Sequence, residues 1–240
     1  MTTFKILRFD PLTQESPHFQ AYEHTPKPKD SMLDVLKDIR DQQDPALSFR
    51  YSCREAVCGS CAVTINGNIC LACRTQFEDL QTDPVLIEPL PNLEIQKDLV
   101  VDLRPFWEAY RFVQPYLQPE GDIPEKGHRV EEKQMEAVFQ YITCIMCACC
   151  YSACPVASRD DRYLGPAALA KLYRFVLDPR DKRRYETLAR VDSATGVWGC
   201  DTVFRCNEVC PKQVRPADGI EGLRRRLIVK KTGRLLRGKR

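Results

Sequence analysis

Cys144, Cys147, Cys150 and Cys154, closed by Pro155, set out the interval C-x2-C-x2-C-x3-C-P. Thiolates at that spacing wrap the corners of an iron-sulfur cube. The interval recurs from Cys200 to Pro211 as Cys200, Val203, Cys206 and Cys210, with valine where the second cysteine belongs. Where two such runs share a domain, the last cysteine of each ligates the cluster of the other. One cluster therefore collects Cys144, Cys147, Cys150 and Cys210. The other collects Cys154, Cys200 and Cys206, because Val203 has no atom that binds iron. Three thiolates suit a cube lacking one iron, so the pattern predicts a 4Fe-4S centre beside a 3Fe-4S centre, with Cys149 left over.

A different interval precedes these runs. Cys53, Cys58 and Cys61 stand as C-x4-C-x2-C, the plant-type spacing for a 2Fe-2S cluster, which needs one more distant thiolate. Gly59 suits a loop whose backbone has to pass close to sulfide. The fourth ligand is Cys70 or Cys73, and the turn at Asn66-Gly67-Asn68 decides between them. A two-residue turn pairs Val63 with Cys70 and leaves Cys73 opposite Ser60, whereas a three-residue turn sets Cys73 opposite Cys61. The longer turn is preferred, making Cys73 the ligand and Cys70 a packing residue.

Thirteen cysteines are more than packing requires in 240 residues. Buried thiols or disulfides are the plain alternative. Two phased runs ending in Cys-Pro, an odd count and the lack of a signal-peptide pattern favour metal in a reducing compartment instead. Zinc sites pair C-x2-C knuckles with a separate second half and rarely use a continuous four-cysteine run. His18, His24 and His128 lie outside the cysteine runs and read as surface or structural residues. The formal charge of +3 is too small to imply nucleic acid, and no run of 18 apolar residues exists to span a membrane. Neither a phosphate-cradling glycine fingerprint nor a nucleophile with an obvious base stands out, so the organic chemistry is assigned to another subunit. The chain reads as an electron conduit.

The elements that must hold these motifs are legible in outline. Phe4 to Phe9 alternates like a half-buried strand, and Phe19 to His24 is a second strand. Asp30 or Ser31 caps a short helix with Leu33, Leu36 and Ile39 on one face, and Val85 to Leu90 reads as a closing strand. The expected class is α+β, with a β-grasp plant-type ferredoxin domain over 1–104. A short helix from Leu103 to Val113 leads into a linker within 105–130, marked by Pro115, Pro119, Gly121, Pro124 and Gly127. Residues 131–240 are predicted to form an all-α bacterial ferredoxin-like domain with cluster loops between its helices. Its helices are expected over 131–142 with Met135, Val138 and Ile142 on one side, from Pro166 to Leu177, and over 182–189 with Tyr185 and Leu188 inward. The basic C-terminal tail, 222–240, holds nine Lys or Arg and no acid. It reads either as solvated or as drawn to anionic headgroups, at about 1 kcal/mol per basic residue near the surface.

Taken together, the motifs resemble the iron-sulfur subunits of succinate dehydrogenase and fumarate reductase over nearly the whole chain. The resemblance is carried by Ser52 to Cys61, Leu71-Ala72-Cys73, Cys144 to Pro155, Leu164 to Ala167, and Cys200 to Lys212. It implies Cys53, Cys58, Cys61 and Cys73 as the 2Fe-2S ligands, agrees with the other two ligand sets, and marks Cys149 as a non-ligand. It further implies a partner flavoprotein with FAD where succinate and fumarate interconvert, membrane anchor subunits able to carry haem b, and a quinone as the second redox partner. The complex would be a succinate:quinone oxidoreductase, respiratory complex II of the tricarboxylic acid cycle. This chain would lie peripherally on the cytoplasmic face of the bacterial inner membrane, its Cys154, Cys200 and Cys206 side toward membrane and quinone.

Ubiquinone-using members of that family carry Trp-Trp shortly after the Cys-Pro equivalent to Cys154-Pro155, and His after the cysteine equivalent to Cys200. Ser158-Arg159 and Asp201 stand there instead. Gly196-Val197-Trp198 is similar to fumarate reductases and menaquinone-linked dehydrogenases, so menaquinone is the expected quinone. Pro155, Arg159, Asp201 and Arg224 are the candidates facing it. Two other classes fit less well. A subunit of another flavoprotein oxidoreductase, of the thiol-linked fumarate reductase type, usually has further cysteine-rich modules, and a free ferredoxin-like carrier has no use for the basic C-terminus.

Overall fold

The computed structural model describes residues 1–13, 16–119, 121, 124–182 and 184–237, with backbone only at 184, 185 and 233–237. The expected inward side chain of Tyr185 and the basic side chains at 234, 237, 239 and 240 fall outside the described residues. The chain forms two compact units. The first comprises Met1–Leu103, Ile145–Ala153 and Val209–Pro211, and the second comprises Arg104–Cys144, Cys154–Glu208 and Lys212–Arg240.

The first unit is built on a five-stranded sheet. Strands β1 (Thr2–Arg8) and β2 (His18–His24) pair antiparallel, β5 (Val85–Glu88) lies parallel to β1, and the hairpin β3 (Ala62–Ile65) and β4 (Asn68–Leu71) completes the order β2-β1-β5-β3-β4. The period-2 pattern buries Phe4, Ile6, Val85 and Ile87, alternate residues of neighbouring strands. Helix α1 (Met32–Gln42) adds Leu33, Val35, Leu36 and Ile39 to the same core, each fully buried aliphatic side chain being worth about 1.5–3 kcal/mol. Its start follows from Ser31, whose hydroxyl accepts the Asp34 N–H at 3.3 Å while the Asp34 carboxylate accepts the Ser31 N–H at 3.2 Å. A short ribbon of β6 (Ile95–Lys97) and β7 (Val100–Val101) is fastened to the sheet by a buried carboxylate. Asp98 accepts from Arg8 Nε at 2.9 Å and from the N–H groups of Phe9 and Ser48 at 3.0 and 2.8 Å. Helix α4 (Cys149–Ser152) also belongs to this unit, held where Asn92 Nδ2 donates to the Ser152 carbonyl at 2.7 Å.

The second unit is helical. Its helices are α2 (Arg104–Phe112), α3 (Glu132–Ile142), α5 (Pro155–Arg159), α6 (Gly165–Leu177), α7 (Arg184–Arg190), α8 (Arg205–Glu208) and α9 (Pro216–Arg237). Helix α6, with Pro166 in its first turn, is the hub against which α2, α3, α7 and α9 pack. On α3 the expected Val138 is fully buried and Met135 half-buried, but Tyr141 takes the inward place expected of Ile142, which is exposed.

The basic C-terminal stretch is likewise corrected. Its described part is no free tail. Helix α9 buries Ile220, Leu223 and Leu227, and its Gly219 and Gly222 leave room for two tyrosine rings. A Cβ at Gly222 would lie 2.3 Å from Cζ of Tyr173, and one at Gly219 would lie 3.0 Å from a ring carbon of Tyr141.

Candidate iron-sulfur centres

Residues 53–61 form a loop that turns its N–H groups toward sulfur. Cys53 Sγ accepts from Glu55, Val57 and Cys58 at 3.4, 3.3 and 3.2 Å, Cys58 Sγ accepts from Cys53 at 3.4 Å, and Cys73 Sγ accepts from Ala56 at 3.3 Å. The left-handed residues Arg54, Ala56 and Gly59, with φ of 62°, 55° and 75°, make these inward turns possible. The electrostatic result is mixed. Burial opposes ionisation of Cys58, but hydrogen bonds from the Ser60 hydroxyl and nearby backbone lower it to about 6, whereas burial pushes Cys61 up to about 12. Soft thiols ringed by backbone donors fit a group with electron-rich sulfur, as a 2Fe-2S cluster is.

The hairpin that delivers the fourth thiol is not the one expected. Ile65 pairs with Asn68, so the turn has two residues, Asn66 and Gly67, with φ of 49° and 76°, and Val63 faces Cys70. Asn-Gly takes the left-handed conformations of a tight hairpin readily, and the three-residue register is therefore wrong. Cys73 reaches the loop by another route. Strand pairing ends at Ala62 and Leu71, Ala72 N–H donates to the Cys61 carbonyl at 3.0 Å, and a turn closed by Arg74 N–H on the Leu71 carbonyl at 2.9 Å swings Cys73 to Ala56. Burial raises the Cys70 thiol, which has Thr75 and the Ile65 backbone for partners.

Cys147, Cys149, Cys150 and Cys210 lie in the same unit, while Cys144 belongs to the second. Met146 and Ala148, with φ of 55° and 64°, bend the run. Fully buried Cys149 stays a thiol: its hydrogen bond to Cys147 and burial push its pKa far up, and that bond lowers Cys147. Gly59 has a second reason to be glycine. A Cβ there would lie 2.8 Å from Cys147 Cβ and 2.9 Å from both Cys147 Cα and the Ile145 carbonyl, a clash with rigid backbone. Arg74 donates to the Pro211 carbonyl and fixes the 209–211 segment in this unit.

The second unit holds Cys154, Cys200 and Cys206 around one concavity partly open to solvent. Val203 and Tyr163 share its wall, and Val203 is 49% exposed. Thr202 and Phe204, with φ of 58° and 59°, shape the loop, and Thr202 N–H donates to Cys200 Sγ at 3.4 Å. Burial, then the neighbouring Cys200 and Cys154, pushes Cys206 up to about 12. The donor set of three thiols and no fourth fits a cube with three ligated irons. Sequence reasoning missed Tyr163, whose only signal was an aromatic just ahead of Leu164-Gly165-Pro166.

The four quinone-side candidates separate into three roles. Pro155 and Asp201 line the concavity, and Arg159 pairs with Asp201 at 2.6 Å on the surface. Arg224 braces the Cys200 loop from α9: its guanidinium donates to the Val197 carbonyl at 2.8 Å, to the Cys200 carbonyl, and to Thr202 Oγ1 at 3.0 Å, and it pairs with Glu221 at 2.5 Å.

Residues 3–108 match the family of 2Fe-2S iron-sulfur cluster binding domains, and residues 140–214 match the 4Fe-4S dicluster domains. The fumarate reductase iron-sulfur subunit of Haemophilus influenzae is 36% identical over 228 residues, covering 90% of this chain and 89% of that one. The succinate dehydrogenase iron-sulfur subunit of Paracoccus denitrificans is 39% identical over 230 residues, covering 94% and 87%. This chain belongs to the succinate dehydrogenase and fumarate reductase iron-sulfur subunits. As such a subunit it transfers electrons within an oxidoreductase and carries a 2Fe-2S and a 4Fe-4S domain. The fold agrees: a chain of the Mycobacterium smegmatis Sdh1 complex in the apo form matches with a TM-score of 0.87 at 23% identity, over 96% of this chain and 97% of that one. Among the described residues no helix of this iron-sulfur subunit is long and apolar enough to cross a membrane.

Proposed function

We propose that this subunit carries three centres and joins a succinate- or fumarate-converting flavoprotein to a membrane quinone. Cys53, Cys58, Cys61 and Cys73 hold a 2Fe-2S cluster, Cys144, Cys147, Cys150 and Cys210 a 4Fe-4S cluster, and Cys154, Cys200 and Cys206 a 3Fe-4S cluster. The observation that carries this reading is Val203 on the wall of a concavity that has three thiols. When bound, the clusters supply one-electron relays between two-electron couples. The chain's own residues ionise at sulfur, donate N–H groups to it, and limit water around it.

The remaining assignments belong to the same proposal. The order β2-β1-β5-β3-β4 with α1 following β2 supports a β-grasp first domain over 1–104, then a linker at 105–130 and a helical ferredoxin-like domain over 131–240, with 145–153 and 209–211 completing the first unit. FAD sits on the flavoprotein, and anchor subunits, with or without haem b, hold the chain peripherally on the cytoplasmic face. Pro155 and Asp201 face the quinone, with Arg159 orienting Asp201 and Arg224 holding the Cys200 loop. Asp201 where ubiquinone-using relatives carry histidine weighs against ubiquinone, and Gly196-Val197-Trp198 favours menaquinone.

The test is to purify the native complex and record EPR spectra together with succinate oxidation and fumarate reduction, using menaquinone and ubiquinone analogues separately. Three distinct cluster signals, copurifying FAD protein and faster turnover with the menaquinone analogue are expected. A stable monomer without flavoprotein would favour the carrier reading instead.

A further inference from the structure

Tyr163 has a feature that packing alone does not explain. Tyr163 is 2% exposed, and its hydroxyl is buried without a well-formed hydrogen bond, Cys200 being the group it approaches as a partner. The ring lies against the backbone before Cys200, for a Cβ at Gly199 would come within 3.1 Å of its Cδ2. Phenylalanine would fill that volume without stranding a hydroxyl. Buried polar groups are nearly always satisfied, so an orphan donor points to an acceptor that belongs at the site. The hydroxyl's environment names that acceptor. Tyr163 lines the same concavity as Cys154, Cys200 and Cys206, and the carboxylate on that wall, Asp201, is paired with Arg159 at the surface, which leaves sulfur as the acceptor the site supplies. Tyr163 is thus a buried donor beside thiol sulfur.

We propose that the Tyr163 hydroxyl donates a hydrogen bond to sulfur of the three-thiol centre and raises its reduction potential. This rests on the reading of Cys154, Cys200 and Cys206 as cluster ligands. Reduction places added negative charge partly on sulfur, and a donor aimed at sulfur stabilises the reduced state more than the oxidised one. Tyr163 therefore acts in the same direction as the valine at 203, which withholds a negative thiolate. It is a positioning residue for electron transfer and binds no iron.

The experiment is a redox titration of the purified complex followed by EPR, comparing the natural chain with Tyr163→Phe. The expected result is a 3Fe-4S signal of full intensity whose reduction equilibrium moves about tenfold toward the oxidised form, equivalent to about 59 mV downward for one electron, with the 2Fe-2S and 4Fe-4S midpoints unmoved. An unchanged 3Fe-4S midpoint in Tyr163→Phe overturns the proposal. Should Tyr163→Phe lose the centre, site-specific 3-fluorotyrosine at 163 keeps the ring and makes the hydroxyl a stronger donor. The midpoint is then expected to rise, and a midpoint that stays or falls overturns the proposal. A natural complex that shows no 3Fe-4S signal at all refutes the ligand reading itself, a result distinct from an unmoved midpoint.

Discussion

The loops 53–61 and 200–206 each present three residues of cluster-binding type or position, yet they are shaped by different parts of the protein. The first shapes itself: its own N–H groups, turned inward by left-handed residues, supply the hydrogen bonds to Cys53 and Cys58 and one to Cys73. The second adds outside support to its own left-handed turns at Thr202 and Phe204. Arg224 on α9 holds the Cys200 carbonyl and the Thr202 hydroxyl, Tyr163 shares its concavity, and on the proposed assignment Val203 stands where a fourth sulfur would. Donors to sulfur and the number of thiolates are both levers on potential. The N–H groups that reach Cys53 and Cys58 change only when the first loop is rewritten, whereas the second loop also responds to changes on α9.

The most drastic way to break the first loop is to remove its proposed distant ligand, Cys73. Cys73→Ala is expected to abolish the 2Fe-2S EPR signal while the 3Fe-4S signal persists, and Cys70→Ala is expected to leave both. The opposite pattern would transfer the ligand role to Cys70. For the second loop, Val203→Cys adds the missing thiolate. The oxidised 3Fe-4S signal should give way to a 4Fe-4S centre of lower potential, and a 3Fe-4S signal at full intensity with an unmoved midpoint would show that ligand count does not decide cluster type.

Leu223→Ala tests the outside support. Truncating this fully buried side chain of α9 should cost about 2–5 kcal/mol, seen in thermal denaturation, with the 3Fe-4S signal lost at a lower temperature than the 2Fe-2S signal. Simultaneous loss would contradict the separation of the two loops. The smallest effect is expected at the exposed pair of Arg159 and Asp201. Arg159→Ala should change stability by less than about 1 kcal/mol and raise the KM for a menaquinone analogue, and an unaltered KM would remove the pair from the quinone site.

The spacing of cysteines was legible from the chain because ligation depends on local intervals, and alternation and Ser31 placed β1, β2, β5 and the start of α1 to within two residues, while the β6–β7 ribbon was not expected. Three further features were not legible. Reading Cys73 through the hairpin register put weight on a three-residue turn, whereas Asn66-Gly67 closes in two and the strands separate before register reaches Cys73. The C-terminal stretch was masked by its charge. Its apolar residues Ile220, Leu223 and Leu227 recur at helical spacing but straddle the start of the basic run, and Gly219 and Gly222 look like helix breakers until the rings of Tyr141 and Tyr173 are seen against them. Tyr163 could be weighed only once three dimensions brought it beside cysteines distant in sequence.

At Gly59 the first loop meets Cys147 without room for a methyl group. On the proposed assignments, Cys58 and Cys147 are ligands of successive relays, so the insulating layer between them is thinned to bare backbone. Tunnelling decays exponentially with separation, and the speed of that junction is governed here by a side chain the chain lacks. On the same assignments, a methyl group at this position would push the two loops apart, strain both together and lengthen the path between the two clusters.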